Sequence, residues 1–118
     1  MGSKRGPHAN LVKAGVDLLT LYGVFCWVNN TGRLPDKNGR WVSFGKVGSA
    51  DILGVLPNGR FFGAEAKIGK DVVSDKQADW MGSVHANGGY VSVFRNLDEL
   101  ERDLQEASHD ENDDRRSD

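Results

Sequence analysis

An internal disulfide is excluded, because the 118 residues hold a single cysteine, Cys26. That thiol sits between Phe25 and Trp27 in an apolar run and reads as a buried free cysteine, suited to a reducing compartment. Three histidines, His8, His85 and His109, are too scattered for a zinc site. No apolar run approaches the roughly 20 residues of a membrane span. No apolar stretch follows Lys4 and Arg5, so a secretory signal is not expected. There is no Walker loop and no Ser-His-Asp or Cys-His arrangement. These absences lead to an expectation of cytoplasmic placement, with no membrane partner and no small-molecule cofactor.

What is present is charge, unevenly placed. The formal net charge of −2 hides a split. Residues 97–118 carry 10 acidic and 3 basic side chains, whereas residues 1–96 carry 7 acidic and 12 basic. A basic body suits a nucleic-acid partner, and it is also an ordinary solvated surface. The length suits one domain with one core. We expect residues 1–9 to be a flexible basic arm and residues 10–107 the folded domain. The acidic, polar segment 108–118 is expected to be disordered. It would aid solubility, dock a partner, or cover a basic groove.

Leu11, Ala14, Leu18, Leu19 and Tyr22 recur at helical spacing, with Gly23 as a stop. Gly15 inside this helix implies a close neighbour, either the sheet or a second subunit. Residues 24–28 read as a buried strand. Residues 29–47 form a long connection with Arg33, Lys37, Arg40 and Lys46 beside Trp41 and Phe44. Long connections in small domains are usually functional or disordered. This mixture suits contact with phosphates and unstacked bases. Alternatively, Trp41 to Phe44 is a short strand packing its aromatics on the body. Ser74 to Gln77 is a capping box opening a helix that runs to about His85. Residues 90–94 alternate as a strand, and Asn96 caps a last helix bearing Leu97, Leu100 and Leu104. The order predicts an α/β fold with a mixed central sheet flanked by helices.

The chemistry gathers between Gly48 and Gln77. Asp51 interrupts an apolar run, Asn58-Gly59 marks a hairpin turn, and a second run carries Glu65, Ala66 and Lys67. Strand alternation puts Gly63, Glu65 and Lys67 on one face and Phe62, Ala64 and Ala66 on the other. The hairpin then brings Asp51 near Glu65 and Lys67. Two carboxylates suit a hard cation such as Mg²⁺, and a lysine beside them suits a phosphate oxygen or an attacking water. Each residue also has a plainer reading. Asp51 would reach solvent at a strand edge. Glu65 and Lys67 would be a solvent-facing ion pair. Gln77 would be a capping residue only.

The ordered set Gly-Ser-Ala-Asp51, Glu65-Ala-Lys67 and Gln77 resembles the PD-(D/E)xK nucleases, and within them the VRR-NUC (virus-type replication-repair nuclease) branch. Asn29 to Arg33, Gly39-Arg40-Trp41, Phe44-Gly45-Lys46 and Gly88-Gly89 fit that branch, so the resemblance spans about Leu11 to Arg95. It implies a restriction-endonuclease-like core. It further implies a catalytic set of Asp51, Glu65, Lys67 and Gln77, with Asp51, Glu65 and the Ala66 carbonyl holding Mg²⁺ or Mn²⁺. Asn30, Arg33, Arg40, Trp41, Lys46 and Lys70 are the residues expected to meet DNA. Small stand-alone members resemble Holliday-junction resolvases. The implied protein is therefore a homodimeric endonuclease acting on branched DNA in phage replication or repair. One position departs from the pattern. The family usually has a glutamate at the start of its first helix, and here that position falls near His8. Either His8 stands in, or Asp51, Glu65 and the Ala66 carbonyl act without it. The departure keeps open a non-catalytic binder of branched DNA, or a nuclease subunit that needs a partner.

Overall fold

The structure is a computed structural model that describes residues 6–109. The chain runs α1 (Pro7–Leu21), β1 (Phe25–Val28), β2 (Gly32–Pro35), β3 (Trp41–Phe44), β4 (Ile52–Val55), β5 (Phe61–Ala66), α2 (Asp75–Ala86), β6 (Tyr90–Phe94) and α3 (Leu97–Ser108). Four strands form a mixed sheet in the order β1-β4-β5-β6. The β1/β4 and β4/β5 pairs are antiparallel, and β5/β6 is parallel. The parallel pair needs a crossover, and α2 supplies it. Strands β2 and β3 form a separate antiparallel ribbon. Thus the α/β architecture with a mixed, helix-flanked sheet is as expected, and the ribbon is an addition to the expected order.

The two faces of β5 explain the layering. Phe62, Ala64 and Ala66 are buried in the main core with Val12 and Leu19 of α1 and Leu100 and Leu104 of α3. On the opposite face, Gly63 lies under Trp80 of α2; a Cβ there would stand 3.0 Å from the indole. So α1 and α3 cover one side of the sheet and α2 the other. The neighbour that Gly15 admits is the sheet. A Cβ at Gly15 would lie 2.9 Å from the Phe94 ring and 3.1 Å from Ile52. Ser92 on β6 donates to the buried Asp103 carboxylate on α3 at 2.7 Å, tying that helix down.

Four expectations need correction. The expected flexible arm over residues 1–9 does not extend to residue 9, because Pro7 already opens α1. Proline suits the first helical position, where its missing N–H is no loss. Residues 1–5 lie outside the described residues. The strand read as buried is instead an outer strand, with Phe25 71% and Trp27 43% exposed. Among the described residues its far side has no sheet partner, and of its side chains half-buried Cys26 packs against the core. The stretch Trp41 to Phe44 is a strand, but its aromatics do not pack on the body, since Trp41 is 63% exposed. Finally, Ser108 belongs to α3 and His109 caps it, while residues 110–118 of the expected acidic tail lie outside the described residues. Among the described residues, no helix is long and apolar enough to cross a membrane.

Candidate active site

The hairpin between β4 and β5 sets the site. Gly59 turns with φ 88, and the Asn58 side chain accepts from the Arg60 N–H at 2.9 Å. The register that follows pairs Ile52 with Ala64. Asp51, one residue ahead of β4, therefore falls beside the far end of β5. Its N–H donates to Glu65 Oε1 at 3.2 Å, and its Oδ2 accepts from the Ala66 N–H at 2.9 Å. The Glu65 carboxylate is thus held by the Asp51 backbone, and the Asp51 carboxylate by the backbone of Ala66. Asp51 is only half-buried, as a group at the edge of a strand would be.

Glu65 and Lys67 are not solvent-facing. Glu65 is 4% exposed and Lys67 7%, with the Lys67 ammonium 3.1 Å from Glu65 Oε2. They are buried because α2 lies over this face of β5. Gln77, in the first turn of α2, closes the network. Its Nε2 donates to Glu65 Oε2 at 2.6 Å, and its Oε1 accepts from Lys67 Nζ at 2.9 Å. The same Oε1 accepts from the Ser74 N–H at 3.0 Å, while Ser74 Oγ accepts from the Gln77 N–H at 3.2 Å. Gln77 is therefore both a helix-capping residue and a hydrogen-bond partner of Glu65 and Lys67. The reciprocal cap bends the amide back toward the helix start, where the end of β5 lies. Among the described residues, no buried side-chain polar atom is left without a partner. Complete pairing is what makes a buried ion pair tolerable.

Glu65 holds its proton more tightly than an ordinary carboxylic acid. Burial is the main cause, the Asp51 charge adds to it, and Lys67 opposes it. The sign has a consequence for metal uptake. A raised carboxylate is more fully ionised as pH rises, and a ligating carboxylate must give up its proton. Were Glu65 to ligate Mg²⁺ or Mn²⁺, affinity would therefore climb as pH rises above the ordinary glutamate range of about 4.3, with protons released on binding. Calorimetric titration in two buffers of different ionisation enthalpy reads both. Affinity that stays flat between about pH 5 and 8, with no proton release, would contradict it.

The donor set fits a hard cation. Asp51 Oδ2 is used by Ala66 and by His8, whose Nε2 lies at 3.2 Å, but Oδ1 has no partner among the described residues. The Ala66 carbonyl lies in sequence between Glu65 and Lys67. Among the described residues, no group of three or more His, Cys, Asp or Glu side chains gathers as a metal cluster. Two carboxylates supplemented by a backbone oxygen and waters suit Mg²⁺ or Mn²⁺ rather than a closed zinc cage. His8 does stand next to Asp51, on the exposed first turn of α1.

Two further residues, both inside the motifs that carry the resemblance but given no role by it, support the site. Asn29 donates its N–H to the Asp51 carbonyl at 2.8 Å and its Nδ2 to Ser49 Oγ and the Ala50 carbonyl at 2.7 and 2.8 Å. Gly48, with φ 83, lies so close to α2 that a Cβ would overlap the Lys76 carbonyl. The residues expected to meet DNA divide into groups. Arg33 and Trp41 meet on the ribbon, with the guanidinium 5.8 Å from the indole centroid. Arg40 is at the ribbon's tip and Asn30 at its root, both exposed. Lys46 lines an open cleft of about 460 Å³ with Lys76 and Trp80 of α2. Lys70 sits in the exposed turn after Lys67 rather than on the ribbon. In comparisons with known proteins, no family model matches this chain, and no curated protein or solved structure is significantly similar to it.

Proposed function

We propose that this chain is a divalent-metal-dependent DNA endonuclease on a restriction-endonuclease-like core of the VRR-NUC kind. One observation carries the reading. Glu65 and Lys67 are buried side by side, both held by Gln77, with the Asp51 carboxylate hydrogen-bonded one residue away at Ala66. A fold gains little stability from burying such a pair, so its retention suits a site built for chemistry.

Asp51, Glu65 and the Ala66 carbonyl would hold the cation, Mg²⁺ or Mn²⁺. When bound, it supplies an acidified water and neutralises phosphate charge. Lys67 has three ammonium donors. One goes to Gln77 and one to Glu65, which leaves a third for a non-bridging phosphate oxygen or for the attacking water. Gln77 is a positioning residue that fixes both charged groups. Hydrolysis would leave 5′-phosphate and 3′-hydroxyl ends, by the resemblance. The same resemblance supports a homodimer acting on branched DNA in phage replication or repair, and the single cysteine suits a reducing cytoplasm.

The test is cleavage of a labelled four-way junction, a flap and a plain duplex, with Mg²⁺, with Mn²⁺ and with chelator. Wild type should cut only with metal, and Asp51→Ala should bind DNA without cutting. Cleavage that persists in chelator, or in Asp51→Ala, overturns the proposal. A second reading is favoured by the histidine at the start of α1, which removes one carboxylate from the expected set. On that reading the chain binds branched DNA without cutting it, or cuts only with a partner subunit. Binding of the junction with no cleavage in either metal would select it.

A further inference from the structure

The β2–β3 ribbon stands apart from the core that the rest of the chain builds. None of its residues belongs to the buried core, and among the described residues its strands pair only with each other. It is nevertheless firmly shaped. Asp36 caps the tip, with Oδ1 accepting from the Asn38 and Arg40 N–H groups at 2.8 and 2.9 Å, and Gly39 turns there with φ 81. At the root, Gly45 with φ 76 lets the strands cross, since a Cβ would stand 2.8 Å from the Asn30 carbonyl. Asn29 then ties the root to Ser49, Ala50 and Asp51. The ribbon is an arm rooted on the residue proposed to hold the metal. At about 3.3 Å per residue it reaches roughly 20 Å from that root.

Directly opposed residues of an antiparallel pair share a face. The register pairs Arg33 with Ser43 and Pro35 with Trp41, so these four form one face. On it the Arg33 guanidinium lies over the Trp41 indole, and Trp41 remains 63% exposed. The stretch 29–47 holds four basic residues and one acidic residue, Asp36, whose carboxylate serves the tip turn. An exposed indole joined to a guanidinium, amid positive charge, is how proteins stack unpaired bases and hold the adjoining phosphates.

We propose that the β2–β3 ribbon is a nucleobase-stacking arm that takes unpaired bases of a branched DNA onto its Arg33–Trp41 face. Flaps and forks expose such bases and a plain duplex does not, so the arm makes the site selective for branched substrates that carry a single-stranded part. The proposal rests on the nuclease reading only for what happens at the root of the arm. The opposite face, with Leu34, Val42 and Phe44 exposed, also fits a second copy of the chain. Positive charge on and around the arm favours DNA over that occupant.

The test measures binding in chelator, by fluorescence anisotropy, to a flap with unpaired bases and to a plain duplex. Trp41→Ala should weaken flap binding on the order of ten-fold and leave duplex binding nearly unchanged. Trp41→Phe should keep most of the flap affinity. The salt dependence should be unaltered by Trp41→Ala and made shallower by Arg40→Ala. Equal flap affinity for wild type and Trp41→Ala overturns the proposal. So does a dimer in sedimentation that Trp41→Ala dissociates, which would seat a second copy on the Arg33–Trp41 face itself. The two readings fail separately. Flap binding that needs Trp41 in a protein that never cuts removes the nuclease and keeps the arm. Metal-dependent cutting with no preference lost in Trp41→Ala does the reverse.

Discussion

Lys67→Met should reduce metal-dependent cleavage by about 100- to 1,000-fold, the range seen when one charge-stabilising donor is removed from an active site. DNA binding should survive, because Lys67 is 7% exposed and contributes little to the surface DNA would meet. The same change should lower stability in a pH-dependent way. Methionine fills the stem of the lysine but leaves Glu65 buried without its cation, and breaking a buried pair costs about 3–5 kcal/mol. Glu65 has an escape, since burial and Asp51 already raise its proton affinity, and removing Lys67 takes away the opposing influence. The sign follows from linkage. A carboxyl whose folded pKa lies above its unfolded value binds more protons folded than unfolded between the two. Stability therefore falls as pH rises through that window. The deficit of Lys67→Met against wild type should be small near pH 5 and about 3 kcal/mol near pH 8. Denaturant unfolding at both pH values measures it. An equal deficit at the two, or retained cleavage, would count against the assigned roles.

Gly48→Ala should unfold the site from a position that carries no charge. Gly48 has φ 83, a region that costs an L-residue about 1–2 kcal/mol. A Cβ would also overlap the Lys76 carbonyl, and it would stand 3.2 Å from the Gln77 nitrogen. Both neighbours are backbone, so no rotamer change relieves the contact. Overpacking of that sort adds about 1–3 kcal/mol, for a loss near 3 kcal/mol in all. Relief by movement would push residues 48–51 away from the start of α2. That separates Asp51 from the Glu65–Gln77 network, so cleavage should fall even at temperatures where the variant remains folded. Gly59→Ala is the control. Gly59 has φ 88 at the hairpin turn, but nothing lies within 4 Å of a Cβ there. It should lose only the backbone cost and keep its cleavage rate. Similar losses of activity in the two variants would show that general destabilisation, not the register of Asp51 against α2, accounts for the Gly48 result.

The parts of this protein legible in the chain are those held by short-range rules. Asn58-Gly59 announces the hairpin, and alternation along β5 assigns Glu65 and Phe62 to opposite faces without knowing what covers either. Ser74 with Gln77, and Asn96 ahead of Glu99, are helix starts written within four residues, and both caps form. Pro7 is likewise a helix start written in the chain, since its fixed φ suits the first helical position. Asp51, Glu65 and Lys67 are brought together by hairpin geometry alone, so the candidate site emerged with the fold.

Whatever depends on elements far apart in the chain had to come from packing. Whether Glu65 and Lys67 meet water or lie buried depends on α2 crossing over β5, and alternation carries no trace of that. The second role of Gln77 comes from the same crossing. Residues 24–28 are apolar enough for a central strand, yet the sheet order leaves them on the outside. The ribbon at residues 32–44 pairs within itself, where glycines, proline and charge suggested a long connection with at most one short strand, at Trp41 to Phe44. The stretch from Gly48 to Gln77 carries the chemistry in its side chains. Its environment comes from α2, Asn29 and α1, because burial is a property of what lies opposite a residue, not of its neighbours in sequence.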